Sequence, residues 1–157
     1  MNMKMTGVEE TRLPVSSDLD IMKARQKGRD LAAWADFAIV DQTLIATAIS
    51  EIARNIVTYA RRGTIVLRIE EESDRVGLVV IASDQGPGIP DVAQALRDHY
   101  STSHGLGMGL PGARRAMDDF AIQSTPGDGT KITMKKWRTK FIRPAELDAR
   151  SSPRPVA

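Results

Sequence analysis

The chain has 157 residues, the size of one domain around one hydrophobic core rather than two. Hydrophobic residues make up 41% and charged residues 27%, which excludes collagen-like, coiled-coil and disordered classes, while aromatics at 4% leave little for a base-stacking surface, so no nucleic-acid partner is expected. The formal charge is only +2, but eight basic and two acidic residues fall from Lys131 onward, so the rest of the chain is net acidic and the basic C-terminus reads as a solvated tail.

The sequence contains no Cys, which removes disulfide frameworks, thiol catalysis and Cys-type zinc sites together and fits a cytoplasmic setting. Met1 to Thr11 carries Lys4, Glu9 and Glu10 without an apolar core, and no run of 18 apolar residues occurs, so no membrane association is expected.

In chain order, residues 1–10 read as a flexible N-terminus, and Thr11 to Val15 as a short edge strand, where Pro14 is tolerated. Ser17 is placed to cap a helix from about Asp18 to Ala35, with Asp20 as an Asp variant of the capping box. Asp41 is the next expected cap, for a helix from Gln42 to about Ala60 with Ile45, Ile49, Ile52 and Ile56 on one stripe and Gly63 as its stop. Two strands follow, Thr64 to Glu70 and Val76 to Ser83, joined by a charged turn. A breaker-rich loop, Asp84 to Pro90, leads to a short helix near Asp91 to Asp98. A Gly-rich loop, Ser101 to Gly109, runs into a helix from Leu110 to Asp118, with Pro111 near its start. Phe120 to Thr125 and Thr130 to Trp137 close the pattern as a hairpin across Gly127-Asp128-Gly129. Helices and strands come in blocks, so the expected fold is α+β, a two-layer sandwich with a mixed, mostly antiparallel sheet and helices on one face.

Three motifs carry chemistry, each with a plainer reading when taken alone. Glu51 and Asn55 lie four apart beside the apolar stripe of the long helix, where they face a cleft or merely solvent. Asp84, followed by Gly86 and Gly88, ends an apolar strand. It marks an ordinary Pro-Gly turn, or a carboxylate that accepts a hydrogen bond from an exocyclic amine and so prefers adenine to guanine. Gly105-Leu106-Gly107-Met108-Gly109 enters a helix, and converging backbone N–H groups at a helix N-terminus suit a phosphate chain. Alone it reads equally as a flexible linker, and it is not a Walker A loop, because no Gly-Lys-Ser/Thr follows.

Together and in this order the three motifs resemble the N, G1 and G2 boxes of the GHKL ATP-binding superfamily, over about Asp18 to Trp137. The stretches Ser50 to Ile56, Tyr100 to Ser103 and Gly105 to Arg115 narrow the resemblance to small stand-alone serine/threonine switch kinases of the RsbT type. The resemblance implies a Bergerat-type sandwich spanning residues 11–137 with a basic tail at 138–157, and a short lid within residues 89–104. It implies that Asn55 ligates Mg2+ and that Glu51 acts as general base. Asp84 and Thr130 would hold adenine with Gly86 and Gly88 beside them, and Gly105, Leu106, Gly107, Met108 and Gly109 would cradle the phosphates of ATP. Arg54 orients Glu51, faces a protein substrate or is solvated. His99 and His104 are expected to be incidental lid residues, and Arg114 and Arg115 to be solvated or to touch the lid or a partner. The implied activity is phosphorylation of a STAS-domain protein in bacterial stress signalling by partner switching. The alternative is a nucleotide-dependent binding module acting as an anti-sigma factor or phosphatase activator.

Overall fold

Ser17 begins a helix as its position predicts. Its Oγ accepts the Asp20 backbone N–H at 3.2 Å, and Asp20 Oδ2 reaches back to the Ser16 N–H at 2.9 Å, so the box closes one residue earlier than the standard pattern. These contacts hold Asp20 below the usual carboxylate range, the Ser16 backbone hydrogen bond being the main cause. The computed structural model describes residues 10–97 and 109–140. Within them lie β1 (Thr11–Val15), α1 (Asp18–Trp34), α2 (Ile39–Asn55), a π-helical segment (Ile56–Ala60), β2 (Gly63–Glu71), β3 (Arg75–Asp84), α3 (Val92–Ala95), α4 (Gly109–Ala116), β4 (Asp119–Thr125) and β5 (Gly129–Thr139).

The sheet order is β1-β2-β3-β5-β4, and all four strand pairs among the described residues are antiparallel. Alternation along the strands sorts the side chains by face. Ile65, Leu67, Ile69, Leu78, Val80, Ala82, Ile132 and Met134 share one face and one core with Ile45, Ile49, Ile52 and Ile56. Helices therefore lie on one face, as the blocks of elements predicted. Val66 and Val79 point to the opposite face and are buried without joining that core. The register explains their cover: Lys135 is opposite Val79 and Glu70 opposite Gly77, so the 2.9 Å Lys135–Glu70 ion pair crosses above β3. Trp137 adds its ring over Gly77, and Arg75 stacks 3.7 Å from that ring.

Several predicted boundaries move, for identifiable reasons. The cap of α2 is Ala38, in extended conformation and without a side-chain hydrogen bond, rather than Asp41. Ile39 and Val40 form the first turn while 72% and 70% exposed, so the apolar stripe gives no sign of them. Asp41 sits inside that turn, where a carboxylate favours the helix dipole. At the other end the helix widens to π geometry at Ile56 and stops at Arg61, with φ 70°; Gly63 opens β2 instead of ending the helix. The helix near Asp91 is a single turn, capped by Asp91 Oδ1 accepting the Gln94 N–H, and α4 ends at Ala116 rather than Asp118.

The predicted domain end at residue 137 is also too early. β5 runs to Thr139, Arg138 Nε donates to the Ala35 carbonyl, and Lys140 pairs with Glu71 at 2.7 Å. Residues 138–140 are thus part of the domain rather than of a tail. Among the described residues, no helix is long and apolar enough to cross a membrane.

Candidate functional site

The C-terminal end of α2 and the end of β3 meet at one end of the sheet. The isoleucine stripe of α2 is buried to the last turn, so Glu51 and Asn55, offset from it, emerge at the edge of the helix layer. Glu51 is 13% exposed, and its Oε1 accepts from Arg54 Nη1 at 3.1 Å. Arg54 itself is 46% exposed, so the pair joins a sheltered carboxylate to a guanidinium in reach of solvent. Asn55, half-buried, is the last residue of α2; the chain turns to π geometry immediately after it, and widened turns of this kind recur at functional sites.

Asp84 is the last residue of β3, opposite Gly63 on one side and Thr130 on the other. Both neighbouring strands give way to it. A side chain at Gly63 would meet the Ser83 carbonyl at 2.5 Å, Ile56 at 2.8 Å and Asp84 Cβ at 3.1 Å. One at Gly129 would collide with the Asp84 carbonyl, and its φ of 100° already favours glycine. The nearness of Ile56 sets the Asp84 side chain on the helix face, beside the N-box helix. Asp84 Oδ1 accepts the Gly86 N–H at 2.9 Å, a local turn that aims the carboxylate. Gly86 lies against Ala60 of the π-helical segment, so the loop after Asp84 packs on the segment that continues α2. Gly88 has φ 78° and packs on Thr125.

Thr130 follows Asp84 in the same cross-strand row, and Ser124 of β4 completes it. Ser124 Oγ lies 2.9 Å from Thr130 Oγ1 and accepts the Ile89 N–H at 2.7 Å, while the Gly127 N–H donates to the Pro87 carbonyl at 2.9 Å. The β4–β5 hairpin thereby clasps the loop after Asp84. The sequence motifs include neither Ser124 nor Gly63; the signal nearest to Ser124 is the glycine-rich turn at Gly127 to Gly129, and the one nearest to Gly63 is the Glu51–Asn55 pair.

Gly109 starts α4, which packs on α2 through a buried run of Leu110, Pro111, Gly112 and Ala113. The far end of α4 is held by Lys136, a buried lysine whose Nζ donates to the Ala116 carbonyl at 2.8 Å with Asp118 at 3.6 Å and Asp41 at 3.9 Å. It satisfies a helix C-terminus, where a cation is favoured, and ties α4 to α2 and β5. Gly105, Leu106, Gly107 and Met108, with His99 and His104, lie outside the described residues. Arg114 and Arg115 are both exposed on α4.

A hollow of about 730 Å3 also opens at this end of the sheet, with Asp84 and Thr130 in its wall. Part of that wall is the row Pro14, Thr64, Ser83, Lys131 and Gln123, which alternation places on the open face. Glu51 and Asn55 do not line it.

Residues 40–140 match the family described as histidine kinase-, DNA gyrase B- and HSP90-like ATPases. The chain is 46% identical over 129 residues to the serine/threonine-protein kinase RsbT of Bacillus subtilis (strain 168), a match spanning 82% of this chain and 97% of that protein. It is 33% identical over 112 residues to an anti-sigma F factor of Caldanaerobacter subterraneus subsp. tengcongensis, spanning 68% of this chain and 77% of that protein. Among solved structures, a mycobacterial sensor histidine kinase, MprB, superposes with a TM-score of 0.49 at 16% identity, covering 84% of this chain and 100% of that one.

Proposed function

The chain belongs to the histidine kinase-, DNA gyrase B- and HSP90-like ATPase family, and from that premise we propose that it is an ATP-dependent protein serine/threonine kinase of partner-switching signalling, acting on a STAS-domain protein. The observation that carries the reading is the convergence of Glu51, Asn55 and Asp84, from two elements, on one end of the helix face.

Each group has a role that its chemistry supports. Asp84 accepts from the exocyclic amine of adenine, its own orientation held by the Gly86 N–H, and Thr130 stands next to it in the row. Gly105, Leu106, Gly107, Met108 and Gly109 cradle the phosphates, helped by the partial positive charge at the start of α4. The Asn55 side chain offers a hard oxygen that fits Mg2+, which takes one or two protein oxygens and completes its shell with phosphate and water; bound there, the ion would neutralise phosphate charge.

Phosphoryl transfer asks mainly for alignment and charge neutralisation. Glu51, sheltered and ion-paired with Arg54, would take the proton of an attacking serine or threonine hydroxyl. With labelled ATP, Mg2+ and a cognate STAS protein, label should pass to the partner. Absence of transfer by the intact protein would overturn the kinase assignment, and full transfer by Glu51→Ala would overturn the role of Glu51.

The likeness to an anti-sigma F factor favours a second reading, a nucleotide-dependent binding module that engages a sigma factor or activates a phosphatase. Binding would need Asp84 and the glycines but not Glu51. Capture from the native cell separates the two: a STAS protein supports the switch kinase, and a sigma factor or a phosphatase without a STAS protein supports the module.

A further inference from the structure

Three roles are open to Arg54 in the sequence: it orients Glu51, faces a protein substrate or is solvated. The geometry separates them. Arg54 Nη1 donates to Glu51 Oε1 at 3.1 Å, and among the described residues Arg54 is the partner that the structure gives Glu51. Oε2 takes no part in that contact. An ion pair within one helix whose cation is half in solvent adds little to stability, so its consequence lies in where the carboxylate points.

Helical spacing sets the alternatives. At about 100° per residue, Arg54 lies to one side of Glu51 and Asn55 to the other, three and four residues on, and both are neighbours on the helix surface. A carboxylate turned to the Asn55 side would meet the Asn55 amide and engage the side chain assigned to Mg2+. Arg54 draws Oε1 the other way and leaves the lone pairs of Oε2 open.

We infer that Arg54 is a positioning residue for phosphoryl transfer, holding the Glu51 carboxylate by one oxygen, apart from Asn55, and leaving the other oxygen as the base. In the step it serves, the partner's hydroxyl oxygen bonds to the γ-phosphorus of ATP, the bond from that phosphorus to the β–γ bridging oxygen breaks, the hydroxyl proton passes to Glu51 Oε2, and ADP leaves. The inference rests on the proposal that Glu51 is the general base. Arg54 touches Glu51 rather than the reacting atoms, so its effect is exerted through that carboxylate.

The test follows label from ATP to the cognate STAS protein, with kcat, the KM for that protein, ATP affinity and the thermal midpoint measured for the full chain and its variants. Arg54→Ala should lower kcat by about threefold to 30-fold, between the worth of an exposed ion pair and the cost of a misplaced catalytic group. KM, ATP affinity and the midpoint should stay near those of the intact protein. Arg54→Lys, which keeps a cation within reach of Oε1, should recover most of the rate. In a Glu51→Gln background, Arg54→Ala should cost nothing further. A raised KM at unchanged kcat would set Arg54 against the partner, and no change in either would make it a solvated residue. A loss of kcat that tracks the midpoint, that Arg54→Lys does not recover, or that recurs in full in the Glu51→Gln background would separate Arg54 from the carboxylate. Each of these results overturns the inference. Full transfer by Glu51→Gln alone would instead remove the base assignment beneath it.

Discussion

The two ends of the sheet are built by opposite means. At the end holding Asp84, strands approach closely because side chains are missing: Gly63 and Gly129 lie against Asp84 from either side and Gly86 lies against Ala60. At the end holding Arg75, the space is filled by long side chains that interlock. Trp137 lies over Gly77 with Arg75 stacked on it, Trp137 Nε1 donates to Asp119 at 2.8 Å, and Arg75 Nε donates to Glu72 at 2.7 Å. Lys136 and Arg138 pin the same end to α4 and to the turn between the two long helices. Backbone proximity leaves room and fixed N–H groups for a ligand, whereas interlocked charge gives rigidity without a site.

That contrast makes substitutions at the two ends fail differently. The largest effect is expected from Glu51→Ala, which should slow phosphoryl transfer by about 100-fold to 10,000-fold while ATP affinity and the thermal midpoint stay near those of the intact protein. A matching loss of stability would mean that Glu51 is a structural residue. Next, Asp84→Asn should weaken ATP binding by about tenfold to 100-fold with secondary structure unchanged, measured by calorimetry and circular dichroism.

Lys136→Met should do the reverse, costing about 1 to 3 kcal/mol in chemical denaturation, because the Ala116 carbonyl and two carboxylates lose their cation. Nucleotide affinity should change little; a large loss would show that the far end of α4 governs its start. The smallest expected effect is a response to acid. The Arg75 hydrogen bond holds the Glu72 carboxyl below the usual glutamate range and raises Arg75 in turn. A lowered folded-state value means that the contribution is complete above the unfolded value and is lost as pH falls through the folded one. The Trp137 indole resonance should therefore shift in that acid range, and a resonance unmoved there would show that Arg75 stays on the ring without Glu72.

Much of the site is legible in the order of residues alone. Ser17 as a cap, the Ile45 to Ile56 stripe and both hairpins follow from spacings of a few residues, and the Glu51–Asn55 pair and Asp84 with its glycines carry their own patterns. The first turn of α2 is hidden because Ile39 and Val40 are apolar and exposed, which periodicity reads as outside the helix. The π-helical widening leaves no mark, since Val57 and Tyr59 suit an α-helix equally well.

Local period and side-chain chemistry suffice to read the main elements, the single core and the residue types proposed for nucleotide chemistry. Tertiary structure alone decided that β5 lies between β3 and β4, that Ser124 meets Ile89 and that Arg138 meets Ala35. Such contacts join residues 35 and 103 positions apart, and no short-range pattern encodes them. They exist only once burial of a common helix face has fixed strand order and register, which sets the parity by which Asp84, Thr130 and Ser124 share one row.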